Sequence, residues 1–125
     1  MYNFSKTSIE KLQTVDTRLQ ELFKKAIINS PYDFCITEGI RTLEKQKEYV
    51  AKGVSKTLNS KHLTGKAVDI AVIVNNKITW EWKYYKEVAD HIKAVAEEFR
   101  LKITWGGDWK TFKDGPHFEL IGGRK

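Results

Sequence analysis

The sequence predicts an α+β domain in which helices flank a small antiparallel sheet. Two stretches, residues 8–30 and 82–101, carry apolar residues at spacings of three and four, the period of amphipathic helices. Short runs rich in β-branched and aromatic residues lie between and after them, and their length suits strands. The chain has 125 residues with no repeat or linker-like stretch, so we expect one domain over residues 1–125.

Short sequence signals predict the secondary structure of the first half of the chain. The helical stretch 8–30 is interrupted near residues 14–16, where Asp16 or Thr17 can cap a second helix. A strand is expected after Pro31, and Thr42 can cap a short helix that stops at Gly53. The segments expected here are a strand over 32–38, a helix from 42 to about 52 and an irregular loop over 54–64.

The second half alternates strands with one long helix. Asn75-Asn76 can turn a buried strand back on itself as a hairpin. The expected segments are strands over 66–74 and 77–79, a helix over 82–101, a strand over 102–105, a loop over 106–115 and a last strand over 117–121.

The net charge and the composition indicate the kind of partner but do not identify one. A net charge of +6 favours an anionic partner, which can be nucleic acid, a membrane surface or a cell-wall polymer. The lysines are spread along the chain, so a merely solvated basic surface is the alternative. No apolar run is long enough to span a membrane, and the N-terminus lacks the apolar core of a secretory signal. The single Cys35 excludes an intramolecular disulfide, and we expect it to be a small buried apolar residue.

A possible metal site comes from three residues that are far apart in the sequence. Asp69 lies inside an apolar strand pattern, where an unpaired buried carboxylate would cost several kcal/mol, and a cation would remove that cost. Alternatively, Asp69 faces solvent or pairs with a lysine. His62 in the preceding loop and His117 after a Gly-Pro turn can add two neutral nitrogens, a donor set that suits zinc and leaves a fourth position for water.

Other polar residues lie near these three in sequence. Asp114 is a candidate general base, or simply a turn residue before Gly115. Arg41 can hold an oxyanion or a substrate carboxylate, or form a surface ion pair. Glu119 should share a strand face with His117, which makes it an alternative base or a hydrogen-bond partner of that ligand.

The tryptophans and the third histidine are the remaining candidates for the site. Trp109, like Asp108, can lie at the rim of a substrate cleft, although core packing explains one or two of the four tryptophans. His91 falls in the long helix among charged residues, so we expect it on the helix surface and outside the site.

Two segments together resemble a known signature. Ser60-x-His62-x-x-Gly65-x-Ala67-x-Asp69, followed by Asp114-x-x-His117, is similar to the signature of zinc peptidases that cleave peptidoglycan stem peptides. That group includes D-alanyl-D-alanine carboxypeptidases, and the hedgehog signalling domain is a structural relative. The segments 39–42, 105–109 and 117–120 resemble the L-alanyl-D-glutamate peptidase branch, which contains phage endolysins and bacterial wall-lytic enzymes.

The resemblance implies a role for each matching residue. His62, Asp69 and His117 would bind Zn²⁺, Asp114 would be the catalytic carboxylate, and Arg41 would stabilise the carbonyl oxygen. Ser60 would hold the ligand loop by hydrogen bonds. The implied fold is the hedgehog and D-Ala-D-Ala peptidase-like fold.

The leading hypothesis is therefore a zinc L-alanyl-D-glutamate endopeptidase that degrades peptidoglycan and lyses bacteria. The alternatives are a D,D-carboxypeptidase of the same fold, or a non-catalytic basic module that binds wall polymer or nucleic acid. The hypothesis implies a monomer that needs neither nucleic acid nor membrane insertion. It would accumulate in the host cytoplasm, without a signal peptide, and act on the wall once the membrane is breached.

Overall fold

A computed structural model describes residues 1–53, 60–111 and 113–123 of the chain. Its elements are the helices α1 (Lys6–Leu12), α2 (Thr17–Ile28), α3 (Leu43–Ala51) and α4 (Trp82–Glu98), and the strands β1 (Asp33–Glu38), β2 (Ala67–Val74), β3 (Lys77–Thr79), β4 (Leu101–Trp105) and β5 (His117–Gly123). Two short 3₁₀ turns, Lys61–Thr64 and Gly106–Asp108, complete the described elements. The predicted α+β class is confirmed.

The five strands form one antiparallel sheet with β2 at its centre. The order along the sheet is β1-β2-β5-β4, and β3 pairs with the far end of β2. Val72 pairs with β1 on one side and with β3 on the other, so β3 and β5 share one edge of β2. The sheet thereby brings the start of β5 beside the first half of β2.

Helices α2 and α4 contribute many of the buried residues that share the core with this sheet. Val68, Ile70 and Val72 of β2 enter the core with Phe118 and Leu120 of β5. Because side chains alternate along a strand, Asp69 and His117 project from the opposite face. The predicted single domain over residues 1–125 stays a prediction.

Capping and turn signals position several helices and the hairpin as predicted. Asp16 caps α2 by accepting from the Arg18 backbone N–H, and Thr42 caps α3 by accepting from that of Lys45. Asn75 and Asn76 have φ angles of 54° and 64°, the left-handed pair that a tight hairpin turn requires.

The structure corrects other details of the prediction. The helix predicted to reach residue 101 ends at Glu98, because Arg100 adopts a left-handed φ of 58° and Leu101 begins β4. Cys35 is half-buried rather than buried. His91, expected on the helix surface, is half-buried, and its Nε2 lies 2.8 Å from the Ala26 carbonyl oxygen of α2. The predicted 54–64 loop falls mostly on residues 54–59, outside the described residues, and its last part is a 3₁₀ turn.

In the described part of the chain, no helix combines the length and the apolar character needed to cross a bilayer.

Candidate metal centre

Three side chains converge on the face of the sheet opposite the core. One ligand atom from each of His62, Asp69 and His117 lies within 4.8 Å of the other two. Asp69 Oδ1 is 3.1 Å from Nε2 of His62 and 3.0 Å from Nδ1 of His117. The β2–β5 register places Asp69 directly opposite His117, and the 3₁₀ turn before β2 supplies His62. The structure thus brings together the three residues that the sequence suggested.

The outer nitrogen of each imidazole is held by an acceptor. Nδ1 of His62 lies 2.8 Å from the carbonyl oxygen of Gly39, so it must carry a hydrogen and donate it. Nε2 of His117 lies 2.8 Å from Oε1 of Glu119 and donates in the same way. In a neutral imidazole the other nitrogen then keeps its lone pair, and both lone pairs face the Asp69 carboxylate.

Three acceptor atoms this close to one another need a positive charge between them. Two neutral nitrogens and one carboxylate oxygen form the donor set that zinc takes in catalytic sites, where a fourth position stays open. The hydrogen bonds to the outer nitrogens are the kind that orient histidine ligands in metal sites. The residues present therefore fit a zinc ion.

In the metal-free protein, a proton on His117 supplies the positive charge between these atoms. Burial would lower the pKa of His117, but the hydrogen bonds to Asp69 and Glu119 outweigh it and raise that pKa to about 9. Burial alone would raise the pKa of Asp69, yet the hydrogen bond from His117 and the interaction with His62 hold this pKa well below its ordinary value. Since a metal ligand must be deprotonated, binding of a metal here would release a proton.

Asp114 lies beside this cluster, in the turn that leads into β5. Its backbone N–H donates to the Gly106 carbonyl at 3.0 Å, and its own carbonyl accepts from the His117 N–H at 3.1 Å. Burial raises the pKa of its carboxyl group, and the negative charge of Asp69 raises it further. A carboxylate with a raised pKa is better suited than an ordinary one to accept and return a proton near neutral pH.

Arg41 reaches the other side of the Asp69 carboxylate. Its guanidinium lies 3.7 Å from Asp69 Oδ2, and only 7% of its side chain is exposed. It donates to Glu38, donates to Gln46 Oε1 at 2.6 Å and lies 4.6 Å from the centre of the Tyr49 ring. Arg41 therefore does form an ion pair, with Glu38, but this pair is largely buried next to the metal cluster rather than on the surface.

Sequence reasoning missed Glu38 and Gln46 as the residues that hold Arg41. Gln46 is fully buried although it lies on the mostly polar helix α3. Its side chain gives no local signal of burial, since charged and polar residues surround it in the sequence. Glu38 stands opposite Asp69 in the β1–β2 register, which the sequence does not reveal.

The remaining suggested site residues also lie at the cluster. The Ser60 hydroxyl accepts from the His62 backbone N–H at 3.2 Å and so caps the ligand turn. The centre of the half-buried Trp109 ring lies 5.1 Å from that of the His117 ring. Glu119 is committed to the outer nitrogen of His117. The catalytic and substrate-binding roles of these residues stay predictions.

Comparison with known proteins decides the family. A family model described as phage L-alanyl-D-glutamate peptidase matches residues 1–121. The chain belongs to this family.

Relatives agree with this membership of the L-alanyl-D-glutamate peptidases. The L-alanyl-D-glutamate peptidase of Escherichia phage T5 is 33% identical over 135 residues, which cover 96% of this chain and 98% of the phage protein. The crystal structure of the Serratia marcescens L-Ala D-Glu endopeptidase ChiX matches with a TM-score of 0.88 and 39% identity, over 94% of this chain and 90% of ChiX.

A more distant likeness concerns the fold alone. The D,D-pentapeptidase VanY, solved in complex with Zn(II), matches with a TM-score of 0.53 and 20% identity, over 85% of this chain and 70% of VanY. The predicted D-Ala-D-Ala peptidase-like fold is confirmed. The family model and the relatives above confirm the prediction that the chain is an L-alanyl-D-glutamate peptidase.

Proposed function

We propose that this chain is a zinc-dependent endopeptidase that hydrolyses the L-alanyl-D-glutamate amide bond of peptidoglycan stem peptides. His62, Asp69 and His117 would hold the zinc ion. The observation that carries the proposal is the convergence of three acceptor atoms within 4.8 Å, with both outer imidazole nitrogens already held by acceptors. Membership of the L-alanyl-D-glutamate peptidase family supplies the bond that is cut.

A zinc ion bound there would polarise the scissile carbonyl and make a water molecule acidic enough to attack it near neutral pH. Asp114 would accept the proton of the attacking water, since its carboxylate lies beside the cluster and interacts with both ligand histidines through charge rather than through a side-chain hydrogen bond. The same carboxyl group would then return the proton to the leaving nitrogen of D-glutamate.

Arg41 would stabilise the negative charge that develops on the carbonyl oxygen. Its contacts with Glu38, Gln46 and the Tyr49 ring hold the guanidinium in place before substrate binds, so little reorganisation is needed during the reaction. The guanidinium also lies next to Asp69, so its charge helps to balance that of the carboxylate.

Glu119 is the less suitable base. One of its carboxylate oxygens accepts from His117, and the hydrogen bond from His117 holds the pKa of Glu119 below its ordinary value. A carboxylate of lowered pKa is a weaker proton acceptor, whereas the pKa of Asp114 is raised. We therefore assign Glu119 to the orientation of His117.

The place of action follows from the substrate. We propose that the protein works as a monomer at the bacterial cell wall, where cleavage of stem peptides leads to lysis. Its net charge of +6 suits an approach to anionic wall polymers.

Product analysis of digested peptidoglycan tests the proposal. Purified peptidoglycan treated with the enzyme should gain new N-terminal D-glutamate, lose this activity with a chelator and recover it with added zinc. Release of free D-alanine instead would identify a D,D-carboxypeptidase, and unchanged activity after metal removal would overturn the zinc centre. Loss of turbidity of outer-membrane-permeabilised bacteria, measured under the same three conditions, tests lysis.

A further inference from the structure

Lys61 links the two histidine-bearing segments of the metal centre. It immediately precedes His62, yet its side chain reaches β5, the strand that carries His117. There its ammonium group donates to the Leu120 carbonyl oxygen at 3.2 Å and lies 3.7 Å from Oε2 of Glu119.

The two oxygens of the Glu119 carboxylate therefore have different partners. Oε2 faces Lys61, and Oε1 accepts from Nε2 of His117 at 2.8 Å. Only 18% of the Glu119 side chain is exposed, so few water molecules can replace either partner. A chain of contacts thus runs from Lys61 through Glu119 to the second histidine.

We propose that Lys61 is a positioning residue of the metal centre, which holds Glu119 in the orientation that presents His117 to the ion. This inference rests on the proposed zinc site. Rotation of the Glu119 carboxylate would release Nε2 of His117, and the ring could then turn Nδ1 away from Asp69. Lys61 restricts that rotation by occupying the second oxygen.

The size of the effect should decrease with distance from the ion. Loss of a residue that orients a metal ligand typically lowers metal affinity about 10- to 100-fold, and we expect this for Glu119→Met. Lys61 acts one contact further out, through an ion pair in which 40% of its own side chain is exposed. For Lys61→Met we expect an affinity loss of about two- to five-fold, the range that partly exposed ion pairs support.

Lys66 provides a matched control on the same segment. Its side chain is 39% exposed, close to the 40% of Lys61, and it forms an ion pair of 2.7 Å with Asp16. That pair joins the ligand turn to the start of α2 and contacts neither Glu119 nor His117. Lys66→Met removes an equivalent charge and ion pair, so we expect zinc affinity to stay at the wild-type value.

The experiment measures the zinc dissociation constant by competition with a chromophoric chelator, together with the melting temperature of the metal-free protein. Lys61→Met should bind zinc more weakly than both the wild type and Lys66→Met, and Lys61→Arg should restore most of the affinity. The visible spectrum of the Co²⁺-substituted protein should change in Lys61→Met and not in Lys66→Met, because only the first alters the ligand geometry.

A double-mutant comparison shows whether Lys61 acts through Glu119. In a Glu119→Gln background, Lys61→Met should have little further effect on zinc affinity. Equal zinc affinity in Lys61→Met and Lys66→Met, or an undiminished effect of Lys61→Met in the Glu119→Gln background, would overturn the inference while leaving the zinc site intact. Failure of the wild type to bind zinc would overturn the proposed metal centre and this inference together.

Discussion

Replacement of Asp114 by asparagine separates catalysis from folding and metal binding. The change keeps the size of the side chain and both backbone hydrogen bonds, those to Gly106 and from His117. Burial and the charge of Asp69 raise the pKa of the Asp114 carboxyl group, which means that its negative charge is unfavourable in the folded protein. Removal of that charge should therefore cost the protein no stability. What the change does remove is the ability to accept a proton near neutral pH.

The expected loss of activity is that of a general base. Such a group contributes about 10²- to 10⁴-fold to rate, equivalent to about 3–5 kcal/mol of transition-state stabilisation. We expect kcat to fall by this factor while zinc content, zinc affinity and melting temperature stay near the wild-type values.

The assay follows the appearance of new amino groups from a soluble stem-peptide substrate, with zinc content measured on the same samples. Retention of more than a tenth of the wild-type kcat with zinc bound would refute the assignment of Asp114, and Glu119 would be the next residue to test. Loss of zinc from Asp114→Asn would show that Asp114 supports the metal rather than the proton transfer.

Two further predictions concern the segments that support the site. The side-chain hydrogen bond from Arg18 is the main reason that the pKa of Asp16 lies below its ordinary value, so this carboxylate contributes stability above pH about 3.9 and loses it as pH falls through the lowered pKa. In urea denaturation of the metal-free protein, Asp16→Asn should therefore lower the free energy of unfolding by about 0.5–1 kcal/mol at pH 7 and by progressively less in acid. An equal decrease at every pH would contradict this prediction. A Cβ on Gly39 would collide with the Thr14 side chain, so Gly39→Ala should lower the free energy of unfolding by about 1–3 kcal/mol. It should also weaken zinc binding, because it would move the carbonyl group that holds His62. Gly122→Ala, where a Cβ meets nothing within 4 Å, should change neither quantity and is the control.

Much of the fold could be predicted because its signals are local. Asp16 and Thr42 cap helices by hydrogen bonds to backbone groups within three residues, and two adjacent asparagines make the hairpin turn. The end of α4, near Arg100, is an exception to these local signals. The left-handed φ of this residue closes α4 without the glycine or asparagine that usually marks such a position, so the sequence predicts a helix that is too long at this end.

The supporting contacts of the site were harder to predict than the ligands. Gln46 and Lys61 resemble any other polar residue in a helix or turn, and only tertiary structure brings them to Arg41 and Glu119. Their partners lie between 5 and 58 residues away in sequence, a separation at which no periodic pattern relates one side chain to another.

The ligands themselves could be predicted because the hydrophobic pattern that builds the sheet also aligns them. In β5, Phe118 and Leu120 are buried in the core, so alternation sends His117 and Glu119 to the other face. In β2, Val68 and Ile70 enter the same core, which sends Asp69 to the face of His117. A slip of one residue in either strand would expose the core residues and turn the ligands inward. The loss of hydrophobic contacts makes such a slip unfavourable. The placement of Asp69 and His117 on the same face of the sheet is therefore specified by their apolar neighbours, and the metal centre needs no separate signal for it.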